Sequence, residues 1–140
     1  FGGELSTRKE TRFLHYRELW SLNPVSWEWK LHEVAGPSAR SGHRLVAHGG
    51  FVYLFGGFQD AGQGSPVYLD DLWRLAPASC KWSRLENAYL AANKPTARSA
   101  FVFLSQADHL VLYGGYTKVA GEVDGRVLHD LWTLQLAEGV

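Results

Sequence analysis

Histidine and cysteine are the side chains of this sequence best suited to bind a metal or to act as nucleophiles. The chain of 140 residues has one cysteine, Cys80, and six histidines: His15, His32, His43, His48, His109 and His129. A metal site needs ligands that converge. His43 and His48 share a predicted strand but are separated by an odd number of residues, so they point to opposite faces. We therefore predict no metal site, no catalytic residue and no cofactor.

Two arginine-serine pairs suggest a different chemistry. Arg40-Ser41 and Arg98-Ser99 each lie sixteen residues before a pair of glycines. The forked donors of a guanidinium group suit bidentate hydrogen bonds to a carboxylate. Two roles stay open for these arginines, namely contact with a bound partner or capping of backbone carbonyls between neighbouring structural units.

The glycine pairs belong to an internal repeat with spacings of 54 and 58 residues. Each pair follows an aromatic residue and is itself followed, 14 or 15 residues later, by an acid, a leucine and a tryptophan. In two copies a second tryptophan stands nine residues further on. The repeated residues are Gly2, Gly3, Gly56, Gly57, Gly114, Gly115, Asp71, Asp130, Trp20, Trp29, Trp73, Trp82 and Trp132.

The segments between these residues predict short strands. In the middle copy, residues 42–48 lead through Gly49-Gly50, a two-residue hairpin turn, into a run of β-forming residues at 51–55. Residues 71–75 and 81–85 are the third and fourth predicted strands, joined by a turn at Pro77. One repeat is therefore predicted to be a four-stranded antiparallel sheet.

A single small sheet with large apolar side chains on both faces is not stable alone, so it must stack on copies of itself. Sheets of this kind, repeated at such a period, form the blades of a β-propeller. We expect the glycine pair to end the second strand, where the backbone needs either a positive φ or a close approach that a Cβ would block. We expect the tryptophans to fill the space between blades and the acid to accept hydrogen bonds from backbone N–H groups.

These repeated residues resemble the kelch repeat. At finer detail, FGGE at 1–4, RFLHYRELW at 12–20, GPSARSGHRLVAH at 36–48, LFGGF at 54–58 and YGGYTK at 113–118 are similar to the kelch domain-containing protein 4 group. The resemblance implies an all-β fold, a cytosolic propeller of about six blades with no established chemistry.

The resemblance also divides the chain. Residues 1–35 are expected to hold the third and fourth strands of one blade, and residues 36–95 a complete blade with a longer exit loop. Residues 96–140 are expected to form a blade that lacks its fourth strand. We therefore expect an incomplete ring, a fragment of a longer protein.

Composition restricts the partners and the location. Lys plus Arg equals Asp plus Glu, which argues against a nucleic-acid partner. No apolar run is long enough to span a membrane. A single cysteine suits a reducing compartment, so we expect a cytoplasmic protein, with the nucleus as the alternative.

For function, the resemblance implies a non-catalytic scaffold that binds a peptide or protein partner on the loops between the second and third strands and between blades. In kelch proteins like this one, an arginine at the start of the first strand pairs with an acidic peptide. The predicted partner-binding residues are Arg40, Ser41, His43, Arg98, Ser99, Arg12, Tyr16, Tyr68, Tyr116 and Lys118.

Two alternatives stay open. One is a metal-dependent propeller enzyme similar to galactose oxidase, with its ligands in blades outside this sequence. The other is a purely architectural domain. Cys80 lies in the turn between the third and fourth strands, on the rim opposite the binding loops, and is expected to be an ordinary thiol.

Overall fold

The computed structural model describes residues 1–6, 13–60, 66–86, 93–119 and 121–136. Their regular structure is all β, without helices, as predicted. The strands are β1 (Glu4–Ser6), β2 (Phe13–His15), β3 (Leu19–Leu22), β4 (Trp29–His32), β5 (Arg44–His48), β6 (Phe51–Phe55), β7 (Phe58–Asp60), β8 (Pro66–Tyr68), β9 (Leu72–Ala76), β10 (Lys81–Arg84), β11 (Val102–Gln106), β12 (His109–Thr117) and β13 (Arg126–Gln135).

The middle repeat forms an antiparallel sheet of four strands in the order β10-β9-β6-β5. The hairpin between β5 and β6 turns at Gly49 and Gly50, whose φ angles are 56° and 80°. Positive φ at both positions gives the turn a twist that matches that of the flanking strands. The strand predicted at 51–55 is β6, whereas β5 begins at Arg44, two residues later than predicted.

The other two repeats form smaller sheets from the described residues. Strands β3 and β4 form a two-stranded sheet, and β11, β12 and β13 form a three-stranded sheet. The register of β12 against β13 shifts between Tyr113 and Gly115, so β12 passes through its glycine pair with an irregularity instead of ending there. The expectation that the glycine pair ends the second strand is therefore wrong for this repeat.

Residues predicted as loops between the second and third strands contain further pairing. In the first two repeats this region forms the hairpins β1–β2 and β7–β8. In the third repeat β12 and β13 extend to pair Thr117 with Arg126. The loop prediction failed because short β-forming pairs such as Val67-Tyr68 complete a ladder with the residues that follow the glycines.

Two apolar clusters lie where the sheets meet. Tyr53, Phe55 and Leu72 of the middle sheet pack with residues of the third repeat, Phe101, Leu110 and Leu112. On the other face, Leu54, Leu75 and Trp82 pack with Leu19 of the first repeat. Strand β6 is thus buried on both faces, as its unbroken apolar sequence predicts.

The tryptophans divide between two environments. Trp82 is 7% exposed within the seam between the first two repeats, and Trp73 and Trp132 pack against the two clusters. Trp20 and Trp29 are 43% and 64% exposed, so the expectation that every tryptophan fills a space between blades is wrong for them. Among the described residues, no other sheet covers the face of the first repeat on which Trp20 and Trp29 are exposed.

The loops and turns lie at the two opposite ends of the strands. The turns at Gly49 and Pro77 lie at one end of the strands of the middle sheet, and the hairpin β7–β8 extends from the other end. We call the end that carries β1–β2, β7–β8 and the paired ends of β12 and β13 the loop face.

The residues described contain no helix with the length and hydropathy that a membrane crossing requires.

Candidate partner-binding face

Arg40 lies at the base of the loop face and is 1% exposed. Its Nη1 and Nη2 groups donate to the two carboxylate oxygens of Asp71 at 2.5 and 2.9 Å. Its remaining N–H groups donate to the carbonyl of Gly56 and to the carbonyl and hydroxyl oxygens of Ser38. Every guanidinium N–H therefore has an acceptor within the same repeat.

Arg98 repeats this arrangement in the next blade and is fully buried. It donates to both carboxylate oxygens of Asp130 at 2.7 and 2.8 Å, to the carbonyl of Gly114 and to Thr96. Neither arginine has an N–H group left for a partner, so the geometry does not support direct partner contact through them. Their side chains also bond inside one blade and not between blades, which corrects the capping alternative.

In the second and third repeats the acid joins the arginine to the tryptophan two residues later. The indole N–H of Trp73 donates to Asp71 at 2.7 Å, and that of Trp132 donates to Asp130 at 2.6 Å. The spacing places both residues on the same side of one strand. The acid was expected to accept hydrogen bonds from backbone N–H groups, and its main donors are instead the arginine and the tryptophan of its own repeat.

The electrostatics of the two acids follow from these bonds. Burial on its own would raise the pKa of Asp71, but the hydrogen bonds and charge of Arg40 and the bond from Trp73 lower it below the ordinary value. Hydrogen bonds from Arg98 lower the pKa of Asp130 strongly, while partial burial opposes them. Both acids are therefore ionised at neutral pH.

The main chain at these arginines connects one blade to the next. The N–H of Gly57 donates to the carbonyl of Arg98 at 2.8 Å, and that of Gly3 donates to the carbonyl of Arg40 at 2.9 Å. A Cβ on Gly56 would lie 2.6 Å from the Arg98 oxygen, closer than any side chain tolerates. The glycine pair is needed because two backbones meet at this seam.

Ser41 lies in the first seam beside a histidine. Its hydroxyl donates to Glu4 Oε2 at 2.6 Å, and His15 Nε2 is 3.1 Å from its oxygen. The backbone N–H of Asp60 donates to His15 Nδ1 at 3.3 Å, so in the neutral ring the proton lies on Nε2 and is donated to Ser41. The imidazole therefore does not serve as a base for this hydroxyl. The three side chains instead form hydrogen bonds that connect the two blades.

Ser99 takes the same place in the second seam, where its partner is Tyr68. The ring of Tyr68 lies 5.7 Å from that of Phe58 and 5.9 Å from that of Tyr116. Burial raises the pKa of Tyr68, with a smaller contribution from Tyr116, while the bond to Ser99 opposes the rise. These contacts join both seams into one row, the loop-face strip, made of His15, Ser41, Phe58, Tyr68, Ser99 and Tyr116.

An open groove of about 380 Å³ runs beside this strip, between β7–β8 and the paired ends of β12 and β13. Val67, Tyr68 and Val119 contribute apolar surface to it, and Lys118 and Arg126 contribute positive charge. Glu122 forms an ion pair with Arg126 at 3.0 Å. An aromatic and aliphatic floor with basic residues along it can accommodate an extended chain that carries acidic groups.

His43, which was predicted to contact a partner, lies in the first seam instead of the groove. Its ring meets Phe1 edge-on at 5.6 Å. Burial, assisted by the charge of Arg40, lowers the pKa of His43 to about 4. At neutral pH this ring is uncharged and acts as packing.

The chain matches, over residues 1–140, the family model described as the KLHDC2/KLHL20/DRC7 Kelch-repeats domain. The chain belongs to the kelch-repeat family. Kelch-repeat families are mostly non-catalytic interaction domains, and the four-stranded middle sheet is a kelch propeller blade.

Individual relatives show the same likeness over part of their length. The chain is 27% identical over 118 residues to kelch domain-containing protein 1 of Homo sapiens, covering 83% of this chain and 28% of that protein. It is 28% identical over 156 residues to host cell factor of Drosophila melanogaster, covering 96% of this chain and 9% of that protein. These matches do not confirm the finer likeness to the kelch domain-containing protein 4 group.

The kelch blades bring some of the predicted site residues together and separate others. Tyr68, Ser99, Tyr116 and Lys118 lie together at the second seam and its groove. Ser41 lies in the first seam, and Tyr16 is half-buried between β2 and β3. Arg12 lies outside the described residues, as do residues 87–92 of the predicted exit loop.

The predictions missed four residues of this face: Glu4, His15, Phe58 and Arg126. The repeat itself carries the signal for Glu4 and Phe58, because each directly follows a glycine pair, as the predicted Tyr116 does. His15 and Tyr68 each lie five residues before the tryptophan of their repeat. Residues at equivalent positions of a kelch repeat lie at equivalent places on neighbouring blades.

Within residues 1–6, 13–60, 66–86, 93–119 and 121–136, no group of three or more His, Cys, Asp and Glu side chains is arranged to hold a metal ion. The galactose-oxidase-like alternative places its ligands outside this sequence and stays an untested hypothesis.

Proposed function

We propose that this chain is part of a non-catalytic kelch scaffold that binds an extended, acidic peptide segment of a protein partner on the loop face. The observation that carries this proposal is the loop-face strip, a connected row of aromatic rings and buried hydroxyl groups, beside a groove lined by Lys118 and by Arg126, which pairs with Glu122. Rigid aromatic side chains and positive charges on one surface are typical of binding hot spots.

In this proposal the buried arginine–aspartate pairs hold the binding surface in place and do not touch the partner. Arg40 and Arg98 fix the start of each blade, and the seam bonds fix Ser41 and Ser99 beside the rings. Tyr68, Tyr116 and Lys118 make the contacts. Because the binding surface is preorganised by these bonds, little side-chain entropy is lost when the partner binds.

A peptide library displayed on phage and selected against the chain tests this proposal. Selected peptides, made synthetically with a fluorophore, are measured by fluorescence polarisation against the original chain and against Tyr116→Ala and Lys118→Glu. We expect peptides rich in Asp and Glu, and a loss of affinity of roughly tenfold or more for each variant.

The matched control is Trp27→Ala, since Trp27 is 73% exposed in the turn between β3 and β4, at the end of the strands opposite the loop face. This variant is expected to bind as the original chain does. Selected peptides that lose affinity only with Trp27→Ala would show that they do not bind on the loop face.

A cytoplasmic or nuclear location stays a prediction.

A further inference from the structure

A cysteine, a histidine and a serine from two neighbouring blades contact one another in succession. Cys80 Sγ lies 3.2 Å from His32 Nδ1, and His32 Nε2 lies 2.8 Å from Ser21 Oγ. Cys80 belongs to the second blade, whereas His32 and Ser21 belong to the first. The group therefore forms across the seam and is independent of the peptide surface.

The fold holds each member in place. His32 is the last residue of β4 and pairs with Leu19 in β3, and Ser21 lies two residues further along β3. Cys80 ends the turn between β9 and β10 with a φ of 51°, and its neighbour Lys81 begins β10. From this turn its side chain reaches across the seam to His32.

The contacts give the thiol a base. Cys80 Sγ has two acceptors within reach, His32 Nδ1 at 3.2 Å and the Pro77 carbonyl at 3.5 Å. When His32 Nε2–H donates to Ser21, Nδ1 is the free acceptor for the thiol proton. A nucleophile, a base in contact with it and a third group that orients the base form the arrangement by which proteins activate a weak nucleophile.

The surroundings favour a particular class of reactant. Cys80 is partly exposed and packs against the cluster of Leu19, Leu54, Leu75 and Trp82. The thiol proton can pass to His32 Nδ1 as the sulfur reacts, because the two atoms are in contact. A small, uncharged, soft electrophile can approach the partly exposed thiol without the desolvation cost that a charged one incurs.

We propose that Cys80, with His32 as its base, is a covalent modification site for α,β-unsaturated carbonyl compounds. The thiol proton passes to His32 Nδ1 while the sulfur electron pair forms a C–S bond to the β-carbon. The π electrons of the C=C bond move onto the α-carbon and carbonyl as an enolate. The imidazolium returns the proton to the α-carbon, so the addition has no leaving group and requires no oxidant or reductant.

The chain has a single cysteine, so adduct formation is read directly as an increase in intact mass. N-Ethylmaleimide is the probe, at fixed neutral pH. We expect native Cys80 to react faster than the same thiol in urea-unfolded chain, and His32→Gln to slow the native rate roughly tenfold or more. The matched control is His109→Gln, because His109 bonds to Asp108 elsewhere in the fold.

A second variant separates proton transfer from packing. In His32→Ala, free imidazole added to the solution is expected to restore part of the lost rate, since it can take the proton at the vacated place. A packing defect would not respond to imidazole. Equal rates for the original chain and His32→Gln, or no response of His32→Ala to imidazole, would overturn the proposal.

Discussion

At the scale of single residues, the buried arginine explains why acid and tryptophan recur together. Asp71 compensates the charge of Arg40 and accepts the indole hydrogen of Trp73, so three side chains form one hydrogen-bonded unit. Without this carboxylate the buried guanidinium of Arg40 would keep its carbonyl and hydroxyl acceptors but lose its counterion. In the second and third repeats the motif therefore ties the segment before the first strand to the strand that carries the tryptophan.

Replacing Asp71 with Asn is expected to lower the free energy of unfolding by about 3 kcal/mol, because Arg40 stays buried without a counterion. Urea denaturation followed by tryptophan fluorescence measures this. The control is Glu86→Gln, since Glu86 pairs with Arg84 on the exposed surface and its loss should cost about 0.5 kcal/mol or less. Equal losses of unfolding free energy in the two variants would contradict the structural role of the Arg40–Asp71 pair.

The same comparison has a pH dependence with a definite sign. The pKa of Asp71 is lowered in the folded chain, so its contribution to stability is present above the ordinary carboxyl pKa. It is lost as the pH falls through the folded value. The difference between the original chain and Asp71→Asn should therefore shrink below about pH 4.

At the scale of strands and turns, the glycine pairs serve the seam more than the strand they follow. Gly49 and Gly56 both have positive φ, but a Cβ on Gly49 would meet nothing within 4 Å. A Cβ on Gly56 would meet the Arg98 carbonyl at 2.6 Å. The two positions thus separate conformational strain from close approach.

Gly49→Ala is expected to lower the free energy of unfolding by about 1–2 kcal/mol, the cost of a left-handed alanine. Gly56→Ala should cost at least twice as much, because the two backbones must also move apart. Thermal and urea unfolding of both variants measure the difference. Equal costs would mean that the seam adjusts without loss and that close approach is not why glycine is needed.

Strands and contacts between strands differ in how far the sequence predicts them. The strand at 51–55 is predictable because a run of β-forming residues is bounded by glycines on both sides. Strand β8 is not, because it has three residues and exists only through its pairing with β7, as between Tyr68 and Phe58. Likewise the carboxylate of Asp71 lies 31 residues from Arg40 in sequence, and spacing alone does not show that two strands bring them together.

At the scale of the whole molecule, stability depends on contacts between neighbouring blades. The two apolar clusters lie at the seams, and each blade contacts its neighbours through equivalent positions. Trp29 and Trp82 occupy the same place in their repeats, nine residues after Trp20 and Trp73 respectively. In repeat proteins the contribution of a residue is set by whether the adjacent unit covers it.

This chain therefore offers a matched pair of substitutions. Trp82→Ala should lower the free energy of unfolding by about 3–5 kcal/mol, because Trp82 is 7% exposed and its removal opens a cavity in the seam. Trp29→Ala should cost about 1 kcal/mol or less, because Trp29 is 64% exposed. Urea titrations followed by circular dichroism measure both. Similar costs for the two would show that the tryptophan acts within its own sheet, and that the seams are not what holds the blades together.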